Sequence, residues 1–186
     1  MSSSRKKVVV RRFSRDWISG FVDPGNLLTG NGLDARLELL DQAGHLSSLP
    51  LNEVKMVSFV REFGGSDGSS GANSGVNAGP ERLVKRTFSG RPRTEGLWLR
   101  MTFRDNDVLE GIAPNDLSLL ELQGVQVTPP DLRSNTQRIY VPRLALTELV
   151  ALAVIGAPGS RRRTTAPPEG EPLDLFSDMP SNTRPN

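Results

Sequence analysis

FRDNDVLEG, Phe103–Gly111, decides how this chain folds. A run of strand formers, LWLRMT (Leu97–Thr102), leads into two aspartates and an asparagine, and a second apolar run closes on a glycine. Asp and Asn supply the left-handed or Asx geometry that a tight hairpin needs. The stretch therefore predicts two strands joined by a short turn. FSRDWISG, Phe13–Gly20, has the same shape ninety residues upstream, behind VVVRR (Val8–Arg12). The glycine closing each second strand predicts a bulge or strong bend, at a place where a side chain would clash.

Outward from the two hairpins, the halves can be laid on each other. Phe13 matches Phe103 and Gly20 matches Gly111. LPLNEVKMVSFV (Leu49–Val60) matches VPRLALTELVAL (Val141–Leu152). In both, a proline is followed four and seven positions later by apolar residues: Pro50, Val54, Val57 and Pro142, Leu146, Leu149. The offset drifts from ninety to ninety-two, as small loop changes would produce. Each half is expected to run strand, turn, strand, third strand, then a proline-led connection into a closing strand. Leu144, Leu146, Leu149, Val150 and Leu152 also fit helical spacing, but the upstream copy VKMVSFV favours a strand. Strong curvature lets about five short strands close into a small barrel. The expected fold is mainly β: two tandem small β-barrel-like modules, residues 1–63 and 95–156, packed together.

Residues 64–94 are assigned to a flexible linker, because GGSDGSSGANSGVNAGP (Gly64–Pro80) has linker composition. One short strand is expected within it, around Arg82–Phe88. Residues 157–186 are rich in Pro, Arg, Thr and Glu and are expected to form a disordered tail. Modules of roughly sixty residues stand near the lower limit of independent stability. With no disulfide to staple them, the two are expected to pack on each other or to form a homo-oligomer.

Composition excludes several kinds of chemistry. The chain has 186 residues, no cysteine and one histidine. Thiol catalysis is excluded, and a zinc site would need carboxylates around a single imidazole. His45, in DQAGHLSS, is expected to be an exposed turn residue. No phosphate-binding loop or dinucleotide fingerprint occurs. Asp105, Asp107 and Glu110 are explained by turn polarity rather than acid–base work. Trp17 and Trp98 are expected to pack or to pair across strands. The expectation is therefore no catalytic residue, no cofactor and no metal: the chain is not an enzyme. The apolar run Leu144–Gly156 contains Glu148 and is too short to span a bilayer. The start MSSSRKKVVVRRF lacks the uninterrupted apolar stretch of a signal peptide. A cytoplasmic location without membrane contact is expected.

KMVSFVREF (Lys55–Phe63), WLRMTFRDNDVLEG (Trp98–Gly111) and SNTQRIYVPRLALTELV (Ser134–Val150) together resemble an uncharacterised bacterial family of duplicated β-modules. The resemblance covers most of residues 6–155 and implies a fold without implying an activity. The hairpin and the proline-led last strand also resemble Sm-like barrels, which would imply RNA binding or ring assembly. Of the Sm-like RNA-reading residues, PNDLSLLEL offers Asn115 and Asp116 but places Leu at the second polar position, and YVPR replaces the Arg-Gly turn. Arginines four apart, Arg11 with Arg15 and Arg100 with Arg104, are similar to the first part of the PilZ signature, which would imply cyclic di-GMP binding. DLSLLE (Asp116–Glu121) has that family's Asp and Ser but Glu where its Gly belongs. In the tail, EPLDLFSDM (Glu171–Met179) is similar to bacterial peptides that dock into the replication sliding clamp, through Leu173, Asp174, Leu175 and Phe176, with Pro172 in place of the motif's glutamine.

Two functions follow from this reading. The first is a non-enzymatic regulatory or adaptor protein that binds a protein partner through its β-module surfaces and through the tail peptide. The second is a nucleic-acid or cyclic-dinucleotide binder that uses Arg11, Arg12, Arg15, Arg100 and Arg104 as guanidinium forks on phosphate.

Overall fold

Both hairpins form, and their backbone hydrogen bonds are equivalent. Arg12 N–H donates to Asp16 O and Arg15 N–H to Arg12 O; Phe103 N–H donates to Asp107 O and Asn106 N–H to Phe103 O. Arg15 and Asn106 hold the left-handed position of each turn, at φ 72° and 61°. The hairpins therefore superpose Arg12, not Phe13, on Phe103, the same offset that separates Gly20 from Gly111. The shared phenylalanine suggested a match that the turn's hydrogen bonds do not respect.

The computed structural model describes residues 5–63, 85–116, 123–131 and 134–156. Among these residues, eleven strands run in chain order: β1 (Lys6–Arg12), β2 (Trp17–Val22), β3 (Leu28–Thr29), β4 (Arg36–Leu40), β5 (Leu46–Pro50), β6 (Val54–Val60), β7 (Gly96–Phe103), β8 (Val108–Ala113), β9 (Gly124–Val127), β10 (Thr136–Pro142) and β11 (Leu146–Ile155). The larger sheet has the order β3-β4-β2-β1-β6-β10-β9, with β5 on β4; the smaller has the order β11-β7-β8. The chain is mainly β, as expected, and the segment after Pro142 is a strand. Pro142 caps a one-turn 3-10 helix, Arg143–Ala145, before it. The two sheets are open rather than closed barrels. β10 pairs with β6 of the first half, and β8 meets the segment after β9 through the isolated bridge Ile112–Thr128.

Two glycines let strands cross closely. A Cβ on Gly20 would lie 2.5 Å from the Leu40 carbonyl oxygen, and one on Gly111 would lie 2.7 Å from Val127 Cβ. The clash that the two glycines predict is present, while strand pairing runs through both without a bulge. β6 lies between β1 and β10, and its residues are buried almost throughout. It divides two cores. Val8, Val10, Leu37, Leu39, Val54 and Val57 form one; Leu99, Met101, Phe103, Leu109, Val127 and Ile139 belong to the other. Each core also takes a residue from the opposite half: Tyr140 enters the first and Met56 the second.

The predicted short strand does not appear in its described part. Residues 85–95 form no strand, yet they are anchored: Arg86 O accepts from Glu110 N–H, and Phe88 packs edge-on against Trp98 at 5.9 Å. Residues 64–84 of the predicted linker, the predicted tail 157–186 with Leu173, Asp174, Leu175 and Phe176, and most of DLSLLE lie outside the described residues.

Candidate functional site

The Phe103–Gly111 hairpin carries a cluster of charges drawn from both halves of the chain. Strand β6 bulges opposite β1: Met56 faces Arg11 and Val54 faces Arg12, which leaves Lys55 without a cross-strand partner. A bulge re-aims the side chain of its extra residue. Lys55 is turned inward, 1% exposed, and its Nζ donates to the carboxylates of Asp105 and Asp107. The ammonium also lies 5.0 Å from the ring centre of Phe103 and 5.9 Å from that of Phe13. A buried cation needs paired charge and polarisable surroundings, and this one has both. The ion pairs join the first half to the second.

More cations surround the same aspartates. Arg86 Nη1 is 3.1 Å and Arg11 Nη1 3.9 Å from Asp107 Oδ2. Burial pushes the Asp107 carboxyl up, but the Lys55 hydrogen bond and the charges of Lys55, Arg86 and Arg11 outweigh it and hold the group below its ordinary range. Asp105 also accepts from Asp107 N–H, at 3.4 Å. The hairpin acids thus serve turn geometry, as expected, and are ion-pair partners as well. The second role is invisible in the sequence because Lys55 lies fifty residues away.

The arginines singled out by the sequence are, all but Arg15, engaged with partners of their own. Arg11 stacks over Trp17 at 5.3 Å. Arg12 binds Asp16, with its Nε at 2.9 Å, and reaches Glu53 at 3.3 Å. The hydrogen bonds from Arg12 and then Ser14 depress the Asp16 pKa to about 2. Arg104 stacks over Phe13 at 4.3 Å and donates to Asn52 O at 2.6 Å. Arg100 pairs with the buried Glu110 at 2.9 Å, whose other oxygen accepts from Trp98 Nε1 and Phe88 N–H. Arg15 is exposed at the tip of its turn. His45 is exposed in its turn too, where its N–H donates to Asp41 at 2.8 Å.

A different cationic group was missed. Lys6, Lys7 and Arg138 line one cleft of about 280 Å³ beside Phe59, at the seam where β10 joins β6. Arg138 lies 131 positions or more from both lysines in the chain, so only strand pairing unites them. Among the described residues, no cluster of His, Cys, Asp and Glu could hold a metal ion, and no helix is long and apolar enough to cross a membrane.

Four large apolar side chains are exposed among the described residues, one of them Leu33 in the 3-10 turn Gly32–Asp34. Leu46 on β5 and Val150 and Val154 on β11 are 68%, 37% and 60% exposed. Both strands are sheet edges: among the described residues, β5 pairs only with β4, and β11 only with β7. Residues 4–153 match a family of unknown function (DUF6982). No curated protein and no solved structure matches the chain.

Proposed function

The chain belongs to this family of unknown function, and from that premise we propose that it is a non-catalytic regulatory or adaptor protein, built on a duplicated β-module, that binds a protein partner. One observation carries the reading. Charged groups of the second hairpin are paired, Asp105 and Asp107 with Lys55 and Glu110 with Arg100, while large apolar side chains stand in water along two strand edges. Apolar surface on an unpaired edge is a docking surface for another chain.

The duplication is supported by equivalent hydrogen bonds. Phe13 N–H donates to Glu53 O, and Arg104 N–H to Ala145 O. A bulge also recurs at the same point, at Lys55 opposite Arg11 and Arg12 and at Thr147 opposite Thr102 and Phe103. The tail peptide Leu173–Phe176 would add a second contact, as Leu and Phe in a polar tail are anchors for a groove.

A pull-down with full-length and tail-deleted protein, with bound chains identified by mass spectrometry, tests the reading. A partner retained by wild type and lost on Phe176→Ala, or on charge placed at Val150, supports it. The runner-up, nucleic-acid or cyclic-dinucleotide binding, is favoured by the cleft of Lys6, Lys7 and Arg138. Titration with an RNA oligonucleotide and with cyclic di-GMP at two salt concentrations separates the two. Binding that falls steeply with salt and weakens in Arg138→Ala would replace the adaptor reading.

A further inference from the structure

We propose that the chain assembles head to tail with copies of itself, the β11 edge of one copy pairing antiparallel with the β5 edge of the next. The inference rests on the duplicated module and on a pairing already made inside the molecule. β6, the last strand of the first half, pairs antiparallel with β10 of the second half. The offset of ninety-two residues from Pro50 to Pro142 makes β10 the counterpart of β5, and β11 the counterpart of β6. The internal seam therefore joins a closing strand to the strand before a closing strand. One of each is left over at the two ends: among the described residues, β5 has a free edge in the first half and β11 in the second.

The free edges match each other in two respects. Their unpaired backbone groups require hydrogen-bond partners, and two edges brought together supply them. Three of the four large exposed hydrophobics of the described residues, Leu46, Val150 and Val154, lie on these strands. Moreover, β11 is ten residues long, and its sequence LTELVALAVI contains one charged residue and no proline. Edges left open to water are usually blunted by lysine, proline or shortness; this one is not.

The register follows from the internal seam. There Tyr140 faces Val57, Ile139 faces Ser58 and Arg138 faces Phe59. Shifted by ninety-two residues, Ser48 of one copy faces Leu149 of the next, Ser47 faces Val150, and Leu46 faces Ala151. Such a contact uses different surfaces on the two partners, so it repeats. It yields a ring if the rotation closes and a filament if it does not.

The test uses full-length protein in sedimentation velocity over a range of concentrations. Wild type is expected to run above monomer mass. Leu46→Lys and Val150→Lys each leave one competent edge of opposite kind, so each alone is expected to run as monomer. Mixed in equal amounts, they are expected to form a dimer that grows no further. As a second readout, the chain has no cysteine, so Ser47→Cys mixed with Val150→Cys should cross-link under mild oxidation, and neither alone should do so. Monomeric wild type at every concentration would overturn the proposal, as would a Val150→Cys disulfide with itself or a mixture that stays monomeric. If wild type is monomeric yet Val150→Lys loses a foreign partner in the pull-down, self-assembly fails and the adaptor reading stands.

Discussion

Lys55 and its two aspartates differ in how far each can reach water. The lysine side chain is 1% exposed, whereas Asp105 and Asp107 are 43% and 33% exposed. Removing the lysine leaves two carboxylates that can hydrate; removing both carboxylates leaves a buried ammonium without its acceptors. Asp105→Asn with Asp107→Asn is therefore expected to destabilise by about 3–5 kcal/mol, the cost of stranding a buried charge. Lys55→Met, which keeps the volume, is expected to cost distinctly less. Urea unfolding of the variants measures both, and an equal or reversed order would contradict the ranking. Acid acts on the same site. Asp107 is depressed in the folded chain, so its contribution is complete above the ordinary aspartate value of about 3.9 and is lost as pH falls through the lower folded value. Stability should hold from neutral pH to about 5 and decline below it. Asp107→Asn should shallow that decline in a pH series of thermal melts.

At the scale of the element, each hairpin depends on a turn and a crossing. Gly20 and Gly111 sit where a methyl group would strike a neighbouring strand, at Leu40 O and Val127 Cβ. Gly20→Ala and Gly111→Ala are each expected to cost about 1–3 kcal/mol, as overpacking does. Gly25→Ala, whose Cβ would come no nearer than 3.5 Å to Asp23, is the control and should be close to neutral. Thermal melts of the three variants decide this. Such features were legible because turns and bends are local: Asp, Asn and Gly act within a few residues of themselves. The match of Phe13 to Phe103 failed for the complementary reason. Side-chain likeness misplaced by one residue a hairpin whose register is set by backbone hydrogen bonds, since a shift of one residue reverses the faces of a strand. Glu110 was legible as a polar residue in a hairpin, but its three partners Phe88, Trp98 and Arg100 come from a preceding segment and a neighbouring strand.

Across the whole molecule, the two halves share their cores. Met56 sits among the residues of the second core and Tyr140 among those of the first, and β6 is hydrogen-bonded to both β1 and β10. Residues 5–156 are expected to unfold in one cooperative transition, with fluorescence and circular dichroism midpoints that coincide. Met56→Ala is expected to cost about 2–5 kcal/mol and to lower amide-exchange protection in both halves; two separate transitions would show that the seam does not couple them. What the sequence determined by itself is what strands and turns carry locally: a mainly β chain, two like hairpins with a glycine at each close approach, and a proline-led final strand. The tertiary structure alone decided that the sheets stay open, that β10 crosses to β6, and that Lys55 closes on Asp105 and Asp107. Those outcomes depend on which edge meets which, and on where burial leaves a charge. Both are settled by long-range pairing, for which one sequence carries no periodic signal.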